Sequence, residues 1–154
     1  MSRPICLVYV LLVIVPLLSA CGGDDPAPED TVCVGTEADT YAAGIVKTTD
    51  AGLYVITLTE ADPAPPEKGE NTWNLRITAG DSPLDGADVV LTPFMPEHGH
   101  GSSPAYVEAL PLGDGAYRAE GLNFSMPGLW EITVSVESPD TGADSAIFAF
   151  CIEG

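Results

Sequence analysis

Leu129-Trp130-Glu131-Ile132-Thr133-Val134-Ser135-Val136-Glu137 is the stretch that decides the fold. Trp130, Ile132, Val134 and Val136 fall on one parity, and Glu131, Thr133, Ser135 and Glu137 on the other. Successive side chains of a strand point to opposite faces, so this is a strand with one face on a core and one in water. Trp73, Leu75, Ile77 and Ala79 alternate in the same way with Thr72, Asn74, Arg76 and Thr78. Shorter candidates are Tyr41–Lys47, Gly52–Glu60, Ala87–Pro93, Ala105–Leu110, Gly115–Glu120 and Asp144–Cys151. No window repeats apolar residues at the helical spacing. Asp85-Gly86 and Asp114-Gly115 supply turn residues, and Asp62-Pro63-Ala64-Pro65-Pro66 a stiff crossing. The expectation is an all-β chain, a β-sandwich of about seven to eight antiparallel strands with Trp73 and Trp130 as large core fillers. A small barrel shares this periodicity and is the alternative.

Outward from the strands, the N-terminus holds Arg3 and then an apolar run from Ile5 to Leu18. That is the length of a signal-peptide core and short of the roughly 20 residues that a spanning helix needs. Leu18-Ser19-Ala20-Cys21 follows and resembles the bacterial lipobox, whose cysteine is diacylated and becomes the first mature residue. Residues 1–20 are therefore read as a lipoprotein leader and Cys21 as the lipid attachment site. An uncleaved membrane anchor is the alternative. Residues 21–32 interleave Asp24, Asp25, Glu29 and Asp30 with Pro26 and Pro28, a composition with nothing to bury, and read as a tether. Residues 33–154 suffice for one domain. The expected location is the bacterial cell envelope, lipid-anchored, at the outer membrane because Gly22 stands where an inner-membrane retention aspartate would.

Charge bounds the partners. Loss of the leader leaves Lys47, Lys68, Arg76 and Arg118 against 23 acidic residues. Such a surface repels nucleic acid, which is excluded as a partner, and raises the local cation concentration. Of the four cysteines, Cys6 lies in the leader and Cys21 takes lipid, leaving Cys33 and Cys151 at the two ends of the domain. In an oxidising compartment these are expected to form a disulfide.

Chemistry concentrates in Pro93-Phe94-Met95-Pro96-Glu97-His98-Gly99-His100-Gly101-Ser102-Ser103-Pro104, which contains both histidines of the chain. A His-x-His pair on an extended segment projects both imidazoles to one side. Met95 adds a thioether, and Met126 a second one from Phe124-Ser125-Met126-Pro127-Gly128. Imidazole suits copper and zinc, whereas thioether selects copper, Cu(I) above all. The candidate metal ligands are thus His98, His100, Met95 and Met126, with a copper ion as cofactor and Glu97 or Glu108 orienting an imidazole from behind. The plain alternative is a solvated loop with Met126 as a core plug. Another is a pH-dependent pairing of His98 with Glu97 or Glu108.

Four motifs carry a resemblance. Asn71-Thr72-Trp73 opens a strand, and Ser82-Pro83-Leu84-Asp85-Gly86-Ala87 leads into the next. Met95-Pro96-Glu97-His98-Gly99-His100-Gly101 and Met126-Pro127-Gly128-Leu129-Trp130 follow in the expected order. The segment from Asn71 to Val136 thereby resembles the YtkA-like domain family of secreted or lipid-anchored bacterial modules. The resemblance implies an immunoglobulin-like sandwich, with Cys33 to Pro66 as extra strands of the same domain, and a role in metal or copper handling. Tyr117 in Gly113-Asp114-Gly115-Ala116-Tyr117 is similar to the tyrosine corner of immunoglobulin-like domains, though no cysteine follows it.

No Gly-x-Ser-x-Gly elbow, glycine-rich phosphate loop or His-Glu-x-x-His motif is present, so the chain is expected not to be an enzyme. The expected function is an envelope lipoprotein that binds copper through a His/Met loop and buffers or passes it. The alternative is an envelope module that docks a protein partner through the Pro93–Pro104 loop without metal, and a purely structural spacer is the third option.

Overall fold

The computed structural model describes Cys33 and residues 36–154. The expected leader, the expected lipid site Cys21 and all of the expected tether (residues 21–32) lie outside the described residues. Eleven strands follow in chain order: β1 (Ile45–Thr48), β2 (Val55–Asp62), β3 (Gly69–Ala79), β4 (Ser82–Pro83), β5 (Asp88–Met95), β6 (His100–Gly101), β7 (Val107–Glu108), β8 (Leu110–Gly113), β9 (Ala116–Phe124), β10 (Gly128–Ser138) and β11 (Gly142–Ile152). One sheet runs β1-β2-β3-β9-β8, with β4 added to β3. The other runs β11-β10-β5-β6, with β7 added to β5. All pairings are antiparallel, and among the described residues there is no helix. The chain is an all-β, two-sheet sandwich.

The alternation read from the sequence is the alternation of burial. On β3 Trp73, Leu75 and Ile77 are buried, and on β10 Trp130, Ile132, Val134 and Val136 are buried. Eight strands have four or more residues, as the periodicity predicts, and three have only two. The stretch read as one strand, Ala105–Leu110, divides between the sheets. Val107–Glu108 pairs with β5, the Ala109 amide donates to the Val89 carbonyl at 2.8 Å, and Leu110–Gly113 then joins β9 in the opposite sheet.

Trp73 sits at the centre of the core, edge-on to Phe124, Phe148 and Phe150 at centroid distances of 6.4, 6.0 and 5.6 Å. Its Nε1–H has no hydrogen-bond partner among the described residues, so aromatic faces are the acceptors that its surroundings offer. Tyr117 is fully buried; its hydroxyl donates to the Leu84 carbonyl at 2.9 Å and accepts from the Ala87 amide at 3.3 Å. A tyrosine corner bonds the backbone a few residues upstream. Here the partner lies 33 residues away, so this tyrosine ties β9 to the connection that leads into β5.

Cys33 and Cys151 form a disulfide across 118 residues, the pairing expected from the sequence. The segment after Cys33 stays on the edge of β11. The Asp39 amide donates to the Ala149 carbonyl at 2.6 Å, and the Ala149 amide donates to the Asp39 carboxylate at 2.9 Å. At the opposite end of the sandwich the Asp144 carboxylate accepts from the amides of Ala51, Leu53 and Ser145. The Thr49 hydroxyl beside it, with these amides, holds the Asp144 carboxyl down at about 2, against an opposing pull from desolvation.

Candidate metal centre

Met95 closes β5. It follows Val89, Leu91 and Pro93 on the inward parity of that strand and is fully buried. Its carbonyl accepts from the amides of His98 and Gly99 at 3.3 and 2.9 Å, which folds Pro96–Gly99 into a tight hairpin loop. Gly99 has φ +65°, the left-handed region that such a loop requires and that glycine adopts without strain. His100 then begins β6 directly opposite Met95.

This geometry corrects the basis on which the histidines were paired. They do not share an extended segment, because His98 lies in the turn and only His100 in a strand. The turn nonetheless brings the rings together, with centroids 5.8 Å apart and planes inclined by 39°. Two imidazoles bound to one ion at about 2.0–2.1 Å have centroids no more than about 6.5 Å apart, so the observed spacing fits a shared ion.

Register extends the centre inward. Residues directly opposed in an antiparallel pair share a face. Phe94 is paired with Glu131, and one further step of that register places Trp130 beside Met95; Trp130 in turn is paired with Phe150. His100, Met95, Trp130 and Phe150 thus form a row across the inner face, solvent-exposed at His100 and buried at the other three. The His100 and Trp130 rings meet edge-on with centroids 6.2 Å apart. Trp130 Nε1–H donates to the Met126 carbonyl at 3.0 Å, and the Met126 side chain, half-buried, packs against the core. Gly128 lies between them: a Cβ there would stand 2.5 Å from the Met95 methyl. Met95, Met126, His98 and His100 all gather at one end of the sandwich.

The expected orienting carboxylates are placed differently. Glu97 is exposed in the turn and makes no hydrogen bond to either imidazole. Glu108 pairs with Val90, five residues down β5 from Met95, or about 17 Å away at strand rise. It therefore has no part in this centre, and neither carboxylate supports a His–Glu pairing. The role they were assigned is available to a backbone group that the sequence pattern does not reveal. His100 Nδ1 lies 3.0 Å from the Gly101 carbonyl, an acceptor, which places the proton on Nδ1 and leaves Nε2 open to a ligand. Among the described residues no group of three or more His, Cys, Asp or Glu side chains is placed to hold a metal ion. An ion held here would need further ligands from thioethers, backbone or a partner.

The architecture defines a two-sheet, immunoglobulin-like domain whose distinctive chemistry is one hairpin loop at the end of β5. The YtkA-like family model matches residues 50–135, more than half of the chain, and the protein belongs to that family. The match begins at Asp50, earlier than the Asn71 at which the resemblance was read, and so includes β2. It ends at Ser135 and leaves β11 and the disulfide outside. No curated protein and no solved structure matches the chain.

Proposed function

We propose that this protein is a lipid-anchored envelope carrier of copper, held as Cu(I) and buffered or passed on without turnover. The observation that carries the proposal is the row in which His100 stands directly opposite the buried Met95, with the His98 ring 5.8 Å from that of His100. His98 and His100 supply imidazole nitrogens, His100 through Nε2. Met95 and Met126 supply thioethers, the ligand type that separates Cu(I) from zinc. Burial of Met95 beneath an exposed imidazole makes the thioether available only to an ion already at the histidines. In this reading the outer membrane holds the chain by lipid on Cys21, and the acidic surface enriches cations around it.

The test is chelator competition on the chain from Gly22 onward with Cu(I), Cu(II) and Zn(II) separately, beside His98→Ala/His100→Ala and Met95→Leu/Met126→Leu. Tight Cu(I) binding lost in both double variants is the expected result. Binding lost only with the histidines removes the thioethers from the centre. Binding that fails competition, or persists in both variants, refutes the proposal. That last result would favour a metal-independent docking module, for which the half-exposed Phe94 and exposed Tyr106 beside the loop are the available apolar contacts.

A further inference from the structure

Three large exposed hydrophobic side chains stand together on one sheet face. Register places Thr92, Thr133 and Ile147 in a row across the outer face of the β5-β10-β11 sheet, with Phe94 in the next row towards the histidine loop. Tyr106, one step before the Val107–Leu91 pair, extends the Thr92 row beyond β5. Ile147, Phe94 and Tyr106 are 47, 41 and 55% exposed. The remaining large exposed hydrophobics among the described residues, Val46, Leu110 and Leu112, lie on β1 and β8, the outermost strands of the other sheet.

Acids are spread over the whole molecule, but here they surround apolar side chains without any cation. Asp88, Glu108, Glu131 and Glu137 belong to this face, and no Lys or Arg does. Val46 and Leu110, by contrast, share their rows with Arg76 and Arg118. Lys68 precedes β3, and Lys47 is paired with Asp39 over the Phe148 ring. Asp88 and Glu137 are direct cross-strand partners, a destabilising placement for like charges, and neither has an ion-pair partner among the described residues. A concavity of about 430 Å³ opens beside them, lined also by Val90, Ser135, Ala143 and Ser145. A Lys or Arg side chain entering it would offset that repulsion.

A second copy of the chain does not fit. Two such faces would meet carboxylate to carboxylate with no cation between them. From β7 to β11 is about 14 Å and from Asp88 to Phe94 about 20 Å, roughly 300 Å² in plan, against the roughly 800 Å² per partner of a stable complex. The contact this face supports is a transient one.

We propose that this face docks a different protein, one whose contact surface joins an apolar patch to Lys or Arg side chains. The patch seats on Phe94, Tyr106 and Ile147, and a cation enters the concavity beside Asp88 and Glu137. Phe94 is directly opposite Gly101, so the docked protein borders His100 and can exchange an ion there. The docking surface stands without copper; only that exchange rests on the copper reading.

The test uses the full chain in the cells that make it, with a photo-cross-linking amino acid at Ile147 or Ser135 on this face, or at Thr57 or Glu120 on the opposite face. Expected is an adduct from 147 and 135 only, joined to a protein at a segment that carries Lys or Arg. Asp88→Lys/Glu137→Lys abolishes the adduct, and reversing the partner's basic residue to Glu restores it. Should that double variant fail to fold, Ile147→Ser, at an exposed position, is probed from 135 and also loses the adduct. No adduct, equal adducts from both faces, linkage to a second copy, or an adduct indifferent to these substitutions overturns the proposal. Cu(I) competition is scored separately on the same proteins. A face-specific adduct without Cu(I) binding sinks the copper reading alone, whereas Cu(I) binding without the adduct sinks the docking surface alone.

Discussion

Replacing Cys33 and Cys151 together with serine removes a link that closes 118 residues, nearly the whole domain. In the chain-entropy account a loop of that length restricts the denatured ensemble by about 5 kcal/mol at 25 °C. The folded state loses little in exchange, because the long β10–β11 ladder and the Asp39–Ala149 hydrogen bonds hold the same elements. At about 4 °C per kcal/mol for a domain of this size, Tm falls by about 20 °C. Urea denaturation followed by Trp fluorescence measures the effect. The midpoint drops, and m rises because the unlinked denatured chain is more expanded. A loss below about 1 kcal/mol with m unchanged, for a wild-type protein shown by mass to carry the bridge, would refute the entropic reasoning.

Three further outcomes follow from single sites. Tyr117→Phe leaves the Leu84 carbonyl and Ala87 amide without their partner and lowers stability by about 1–3 kcal/mol in urea denaturation. Asp144 has its carboxyl held down at about 2, below the ordinary carboxyl value. Its contribution is complete above that ordinary value, near pH 4, and is lost as pH falls towards 2. A carboxyl NMR titration reads the depressed midpoint, and Asp144→Asn flattens the acid limb of the stability profile. Gly128→Ala drives a Cβ to within 2.5 Å of the Met95 methyl at φ +137°. It destabilises by about 1–3 kcal/mol and weakens Cu(I) binding in chelator competition, whereas unchanged Cu(I) affinity would remove Met95 from the ligand set.

The sandwich was legible because its long strands alternate strictly: Trp73 to Ala79 and Trp130 to Val136 each declare a buried and a wet face. β4, β6 and β7 were not legible, because two residues carry no period. The sheet switch at Ala109 was missed for a related reason, since Ala105–Leu110 reads as one short apolar run whichever sheet receives it. At the candidate centre, the residue types singled out the loop, but the reason given for pairing the histidines was wrong. Gly99 in the left-handed region, not strand period, brings the rings together. Glu108 was misassigned because its position depends on its partner across the sheet, Val90, which no local pattern specifies. The Gly101 carbonyl behind His100 is backbone, and side-chain chemistry gives no sign of it.

The hairpin that bears the histidines leaves β5 at Met95, and the chain returns to the same strand at Val107. Between the two contacts lie Thr92 and Pro93, and proline has no N–H to leave unpaired. Residues 96–106 are therefore a cassette that starts and finishes against one strand and sets the register of no long pair. Doubling its length adds only about 0.6 kcal/mol of closure entropy, so insertions and substitutions there are nearly free for the sandwich. Descent with modification could retarget this segment while Met95, Met126 and Trp130 stay with the frame. A protein engineer could graft metal-binding hairpins at the same junction.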